Sequence, residues 1–292
     1  MTPNPPVPPA AGSGDVVQVD VSNEPIHWDV PQAQTYGGYL DLARLLNAQH
    51  PRSPEHDEML FIIVHQSTEL WMKLVVHELR AAVEHIRRDD LAPSFKMLSR
   101  IGHIQGQMTQ SWDVLATLTP LDYSRFRNQL GRSSGFQSVQ YRLLEFMIGN
   151  KNRSMIAVHR SDPPAYELLE RALAAPSLYD ECLQLLSRRG FEVPADRLTR
   201  DFSEPYVPHK QVVAAWLAVY HSAEAHWDLY ELAEKLMDLD HRFQLWRFSH
   251  MKTVERIIGY KSGTGGTSGV SYLAKALELR FFPELWSART SL

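Results

Sequence analysis

The chain has 292 residues, of which 44% are hydrophobic, enough to bury the core of one large or two small domains. Thirty basic and 34 acidic residues give a formal charge of −4, so we expect neither nucleic acid nor an anionic membrane surface as a partner. Cys182 is the single cysteine, which excludes an internal disulfide, a thiolate zinc site and an iron-sulfur cluster. A metal would therefore need nitrogen or oxygen ligands.

The N-terminal region has the composition of a flexible arm. Five of the first nine residues are proline, and Ala, Gly and Ser follow, so residues 1–30 cannot bury enough surface to offset their ordering entropy. No run approaches the roughly 18 apolar residues of a membrane span, and no basic region precedes an apolar stretch. We expect a cytoplasmic protein with a flexible arm at 1–30 and a single helical domain at 31–292.

Helical signals dominate the first half of that domain. Thr35 is a plausible N-cap, because apolar residues follow it at helical spacing as far as Leu46. Residues 56–88 carry apolar side chains every three or four positions without Gly or Pro, which predicts one long buried helix. A second helical pattern covers 92–118. Pro120 then starts a short helix that Gly131 closes.

The second half continues the helical pattern. Ser133 or Ser134 could cap the next helix, which Gly149 ends. Further amphipathic segments are predicted at 163–175, 177–189, 209–238 continuing to 258, and 272–279, with an irregular segment at 261–269. We find no alternation of apolar and polar residues of the kind that indicates a β-strand, and no internal repeat. The fold class is therefore all-α, a multi-helix bundle.

Thirteen histidines in a nearly cysteine-free chain make a metal site worth testing, but the usual spacings fail. His77-Glu78 lacks the second histidine of HExxH, and His221, Glu224 and His226 miss the reverse pattern by one residue. The Glu-x-x-His of di-iron bundles occurs only at Glu24 to His27, in the arm. Zinc hydrolase and di-iron chemistry are therefore disfavoured.

The sequence also lacks the motifs for nucleophilic catalysis and for phosphate binding. The chain lacks a GxSxG elbow, and Cys182 in a leucine-rich segment is typical of a small core residue. The glycine-rich residues 263–269 lack the Gly-Lys-Ser/Thr ending of a phosphate loop. They fit a plain linker or an active-site lid equally well.

Two histidines have aromatic neighbours at helical spacing. Phe61 lies one turn before His65, which places a ring and an imidazole on one helical face, and Trp246 lies one turn before His250. Taken alone, each histidine is more typical of the core of a helical protein than of a ligand set.

Five segments together resemble the tryptophan 2,3-dioxygenase family in its bacterial form. They are Thr35-Tyr-Gly-Gly-Tyr-Leu40, His56-Asp-Glu-Met-Leu-Phe-Ile-Ile-Val-His-Gln66, Ser134-Gly-Phe-Gln-Ser138, Phe243-Gln-Leu-Trp-Arg-Phe-Ser-His-Met251 and Gly263-Thr-Gly-Gly-Thr-Ser-Gly269. The likeness runs from about Thr35 to Arg289 in the family's order and spacing. It does not cover the first 30 residues.

The resemblance implies a haem b enzyme, active with Fe2+, that inserts O2 across the indole C2-C3 bond of L-tryptophan to give N-formyl-L-kynurenine. This is the first step of tryptophan degradation by the kynurenine pathway. It implies that His250 is the axial iron ligand, that Ser134 lies near the haem edge, and that His65 is the distal histidine. We expect His65 to orient the indole N–H rather than to act as an obligatory base, because that proton is very weakly acidic.

The resemblance also assigns the substrate contacts. It implies that Phe61 packs beside the indole, that Arg127 binds the carboxylate with Tyr123 nearby, and that Thr264 contacts the ammonium and carboxylate groups. A planar guanidinium holds a carboxylate through two parallel hydrogen bonds, which suits Arg127 to this role. The family is a homotetramer, and the remaining assigned residues reach over a neighbouring subunit's site: Tyr36, Tyr39 and Leu40.

Two alternatives stay open at this point. The chain could be a haem dioxygenase that acts on another indoleamine. Arg127 and Thr264 favour an amino-acid substrate, whereas turnover of tryptamine as fast as tryptophan would argue against one. A non-catalytic helical scaffold or ligand-binding protein would be colourless and would not bind haem.

Overall fold

The computed structural model describes residues 21–292, and no strand occurs within them. Residues 1–20, which hold most of the predicted arm, lie outside the described residues, so the arm's predicted boundary at residue 30 stays a prediction. The all-α class is confirmed. The α-helices are α1 Tyr36–Tyr39, α2 Leu42–Leu45, α3 Asp57–Arg87, α4 Leu91–Leu115, α5 Pro120–Phe126, α6 Val139–Ile148, α7 Pro163–Ala174, α8 Leu178–Arg188, α9 Ala195–Leu198, α10 Lys210–His221, α11 Trp227–Ile258, α12 Val270–Ala276 and α13 Pro283–Ala288.

The chain divides between His50 and Pro51 into two compact units, which are described separately. In the first unit the Thr35 hydroxyl accepts a hydrogen bond from the Gly38 N–H, as the predicted N-cap requires. The helix that follows is shorter than predicted, because Asp41 adopts a left-handed conformation at φ 51° and separates α1 from α2.

Three long helices, α3, α4 and α11, form the centre of the second unit. Helix α4 packs along both α3 and α11. The apolar faces of the three helices are almost fully buried, as at Leu79, Ile101 and Leu236. Helix α3 begins where the sequence predicted, and the Glu58 carboxylate accepts hydrogen bonds from the backbone N–H groups of Arg52 and Ser53 at that end.

Helix α5 also contacts both α3 and α11. Since α4 and α5 each contact both of these long helices, the side chains of all four helices can meet between them. Thr119 caps α5 by accepting from the Asp122 N–H, and Pro120 occupies the first turn, as predicted.

Three local predictions differ from the structure. Neither Ser133 nor Ser134 caps α6; Ser134 caps the short 3-10 turn Gly135–Gln137, and Ser138 caps α6. The predicted continuous segment from 209 breaks between α10 and α11, where the Ser222 hydroxyl donates to the Ala218 carbonyl. Helix α13, which Pro283 begins, was not predicted.

One helix of the described residues is long and apolar enough to cross a membrane, and it is α3. A single helix of this kind is weak evidence for a membrane protein, because the core helix of a soluble protein meets the same criterion. In this structure α3 packs against α4, α6 and α8.

Candidate active site

His65 and Phe61 lie on the same face of α3, with ring centroids 4.1 Å apart, as their spacing predicts. The His65 Nδ1 lies 2.7 Å from the Phe61 carbonyl oxygen. Because a carbonyl oxygen can only accept, Nδ1 carries the proton, and the neutral ring presents Nε2 as an acceptor. Burial lowers the pKa of His65 from 6.5, which favours this neutral form.

His250 lies on α11 in a cluster with two tryptophan rings, which also contact each other at 5.6 Å between centroids. The indole of Trp112 on α4 is stacked on the imidazole at 4.5 Å between centroids with an interplanar angle of 12°. Trp246, one turn before His250, lies 5.8 Å away and is tilted by 36°. Both indole Nε1–H groups are buried and have no hydrogen-bond partner in the described chain.

The two histidines are close enough to interact electrostatically. The pKa of His250 is lowered to about 4, chiefly by burial and further by the like charge of His65. His65 lies on α3 and His250 on α11, and α5 contacts both of these helices. The imidazole of His250 is therefore neutral at physiological pH, the form in which a ring nitrogen binds a metal.

Helix α5 adds two aromatic rings to the same place. Phe126 is fully buried and meets Phe61 edge-on at 5.7 Å, and Tyr123 lies 6.0 Å from Phe61. Burial raises the pKa of Tyr123 above its usual value, although the neighbouring Arg127 guanidinium opposes the shift. These rings form an aromatic wall beside the imidazole of His65.

Arg127 follows α5 and faces the glycine-rich segment. Its Nη2 donates to the Ser262 carbonyl oxygen at 2.7 Å. A small cavity of about 170 Å³ adjoins Arg127 and Tyr123 and is also lined by Ile257 and Ile258 at the end of α11. A larger cavity of about 340 Å³ between α3, α6 and α7 contains none of the predicted site residues.

The glycine-rich segment is an ordered turn over the 127–134 region. The Thr264 hydroxyl donates to the Ser133 carbonyl oxygen at 2.5 Å. A Cβ at Gly265 would lie 2.6 Å from the Cβ of Ser134, so only glycine permits this approach. Thr264 therefore contacts Ser133, and Gly265 packs closely against Ser134. The role of the segment as a lid stays a prediction.

Tyr36, Tyr39 and Leu40 belong to the first compact unit. Their side chains are exposed, with relative accessibilities of 77%, 84% and 41%. Their predicted role at a neighbouring subunit's site stays a prediction.

Sequence reasoning missed two members of the site in the second unit. Phe126 was read only as part of a short helix, and Trp112 was not singled out at all. The signal for Phe126 was its place one residue before Arg127. Trp112 carries no local signal, because its contact with His250 joins two helices far apart in the sequence.

The fold and the site define a class: an all-helical protein with two histidines on long helices, one in contact with two tryptophans and one with a phenylalanine. The family model for tryptophan 2,3-dioxygenase matches residues 22–168 and 172–292. A tryptophan 2,3-dioxygenase from Erythrobacter litoralis is 58% identical over 261 residues, covering 89% of this chain and 99% of its own. Tryptophan 2,3-dioxygenase 1 from Ralstonia nicotianae is 55% identical over 264 residues, covering 90% of each chain. The chain belongs to the tryptophan 2,3-dioxygenase family.

Proposed function

We propose that this protein is a haem-dependent dioxygenase that cleaves the indole C2-C3 bond of L-tryptophan with O2 to give N-formyl-L-kynurenine. The observation that carries the proposal is that His65 lies beside the aromatic wall of α3 and α5, while α5 also contacts α11, the helix that carries His250. Membership of the family supports it. In metabolism this reaction is the first step of tryptophan degradation. The cytoplasmic location of the protein stays a prediction.

The residues around His250 fit a haem b group. The neutral imidazole would hold the iron, and aromatic side chains surround it. The unpaired Nε1–H groups of Trp112 and Trp246 are unusual, because buried donors almost always have an acceptor. The carboxylates of a haem are acceptors of the required kind. When bound, ferrous haem supplies the dioxygen chemistry, and the protein's side chains orient the substrate and exclude water.

His65 orients the indole. Its Nδ1–H is held by the Phe61 carbonyl, so Nε2 is left to accept the indole N–H. The rings of Phe61 and Phe126 then give the flat apolar substrate an aromatic contact surface. This arrangement positions C2 and C3 without removing the N–H proton.

Arg127 binds the substrate carboxylate, and Thr264 contacts the zwitterionic end. Arg127 donates to the Ser262 carbonyl, a neutral acceptor close to Thr264 in the chain, and a substrate carboxylate would compete for the same guanidinium. A charged acceptor forms the stronger hydrogen bond. Carboxylate binding is thereby coupled to the position of the glycine-rich turn, and Ser134 beneath Gly265 lies at the haem edge.

Replacement of Arg127 by lysine is expected to raise the KM for L-tryptophan roughly 10-fold or more, since about 1.4 kcal/mol of bidentate binding is lost. Steady-state kinetics at saturating O2 measure the change. Arg125→Lys is the matched control, because that neighbouring side chain is exposed and pairs at 3.6 Å with Asp122. An unchanged KM in Arg127→Lys removes Arg127 from the carboxylate site.

We propose a homotetramer in which Tyr36, Tyr39 and Leu40 cover a neighbouring subunit's substrate site. The exposure of all three apolar side chains supports this assignment, because large aromatic side chains left exposed mark interaction surfaces.

The decisive test of the function is an anaerobic haem titration of the purified protein, followed by O2 and L-tryptophan. We expect stoichiometric binding with a Soret band and then the near-ultraviolet absorbance of N-formylkynurenine. A colourless protein that does not bind haem would favour a helical scaffold. Turnover of tryptamine as fast as tryptophan would instead favour another indoleamine as the substrate.

A further inference from the structure

The contact between Trp112 and His250 differs in kind from the other ring contacts of the described chain. It is the one pair whose rings are stacked flat, at 12°, whereas the others are tilted by 30° or more or meet edge-on. Trp246 contacts both rings of the pair, with its centroid 5.6 Å from that of Trp112 and 5.8 Å from that of His250. The three rings therefore form one cluster in which only the Trp112–His250 contact is a flat stack.

The position of Trp112 is fixed by packing. Its side chain is 7% exposed on α4, the helix that packs along α11, and its Nε1–H has no partner among the described residues. Rotation of the indole would have to displace neighbouring core side chains.

His250 lacks the restraint that usually orients a metal-binding imidazole. Such a ring normally donates its second N–H to a carboxylate or a carbonyl. Among residues 21–292 neither ring nitrogen of His250 has a hydrogen-bond partner, and its ring contacts are with Trp112 and Trp246. A flat stack limits rotation about the bond that joins the ring to Cβ, because rotation would drive the imidazole into the indole face.

We propose that Trp112 is the positioning residue that fixes the plane of the His250 imidazole. This proposal rests on the proposed haem-binding function. It assigns to an aromatic face the task that a hydrogen-bond acceptor performs at other histidine-metal sites. Rotation of the ring changes the overlap of the Nε2 lone pair with the iron, so the strength of the bond to iron depends on Trp112.

Three variants separate the stack from general destabilisation. Trp112→Phe keeps an aromatic face and loses the N–H, while Trp112→Leu keeps an apolar side chain and loses the face. Leu98→Ala is the matched control, because Leu98 is 3% exposed on the same helix, about 21 Å away at 1.5 Å per residue.

Two spectroscopic readouts apply. In the haem-free protein with isotope-labelled histidine, the ring current of Trp112 should shift the His250 ring-proton resonances upfield, and a His250→Ala variant assigns these signals. In the ferrous haem protein, resonance Raman spectroscopy reports the iron-histidine stretching band. We also expect haem to dissociate about 3- to 10-fold faster from Trp112→Leu, the range for loss of one aromatic pair.

The proposal expects Trp112→Leu to lose the upfield shift and to broaden and displace the iron-histidine band. Trp112→Phe should restore both, and Leu98→Ala should leave both unchanged. An unaltered iron-histidine band in Trp112→Leu overturns the proposal, whether or not haem binding and turnover change. A band that is altered in Trp112→Leu but not restored in Trp112→Phe also overturns it. Failure of the unmodified protein to bind haem overturns the proposed function and this inference together.

Discussion

Replacement of His250 by alanine is expected to abolish haem retention and, with it, all turnover. Among residues 21–292 no other histidine ring contacts Trp112, and in the proposed function His250 supplies the axial nitrogen from α11. The measurement is the Soret absorbance per chain after gel filtration, together with the initial rate of N-formylkynurenine formation.

His65→Ala is the matched comparison, since it removes the partner imidazole from the other side of the same space. We expect this variant to retain haem and measurable turnover, because Phe61 and Phe126 still hold the indole and only the acceptor for the N–H is lost. Complete loss of activity in both variants, with haem retained in both, would contradict the assigned roles.

Replacement of Glu145 by leucine is expected to destabilise the fold by about 3–5 kcal/mol, the usual effect of removing one partner from a buried ion cluster. The Glu145 carboxylate on α6 accepts hydrogen bonds from Arg142 and from Arg247 Nη2, and all three side chains are 4% exposed or less. Leucine would remove the ion-pair partner of two buried guanidinium groups.

Glu167→Leu provides the control for this prediction. Glu167 and Arg171 form an ion pair on α7 with exposed side chains, and such surface pairs contribute about 0–1 kcal/mol. Urea denaturation followed by circular dichroism measures both variants. Equal midpoints for the two would show that the Glu145 cluster does not stabilise the fold. Because Arg247 adjoins Trp246 in the chain, the cluster also anchors the segment of α11 that leads to His250.

The features of the fold that local sequence specifies were predicted correctly. Helix α3 was predicted nearly to its ends because its apolar periodicity runs through 31 residues without Gly or Pro. The break between α10 and α11 was not predicted, because it contains neither Gly nor Pro and depends on local hydrogen bonds around Ser222. The cap of α6 was misplaced because three serines, at 133, 134 and 138, lie close together and only the backbone geometry selects Ser138.

The same division holds within the site. Phe61 and His65 could be paired from their spacing, because neighbours one turn apart on a helix share a face. The stack of Trp112 on His250 could not, since it depends on how α4 crosses α11. The resemblance named the two histidines, Arg127 and Thr264, and the geometry added the residues that hold them.

The bridging of α3 and α11 by two helices of unequal length has an evolutionary consequence. The 25 residues of α4 carry Trp112, which stacks on His250, whereas Arg127 and Thr264 lie on the 3-10 turn after α5 and on the glycine-rich turn. Short segments can be exchanged without rebuilding a core. Under the proposed function, a descendant of this scaffold can therefore acquire a preference for a different amino-acid end while the histidine site is inherited unchanged.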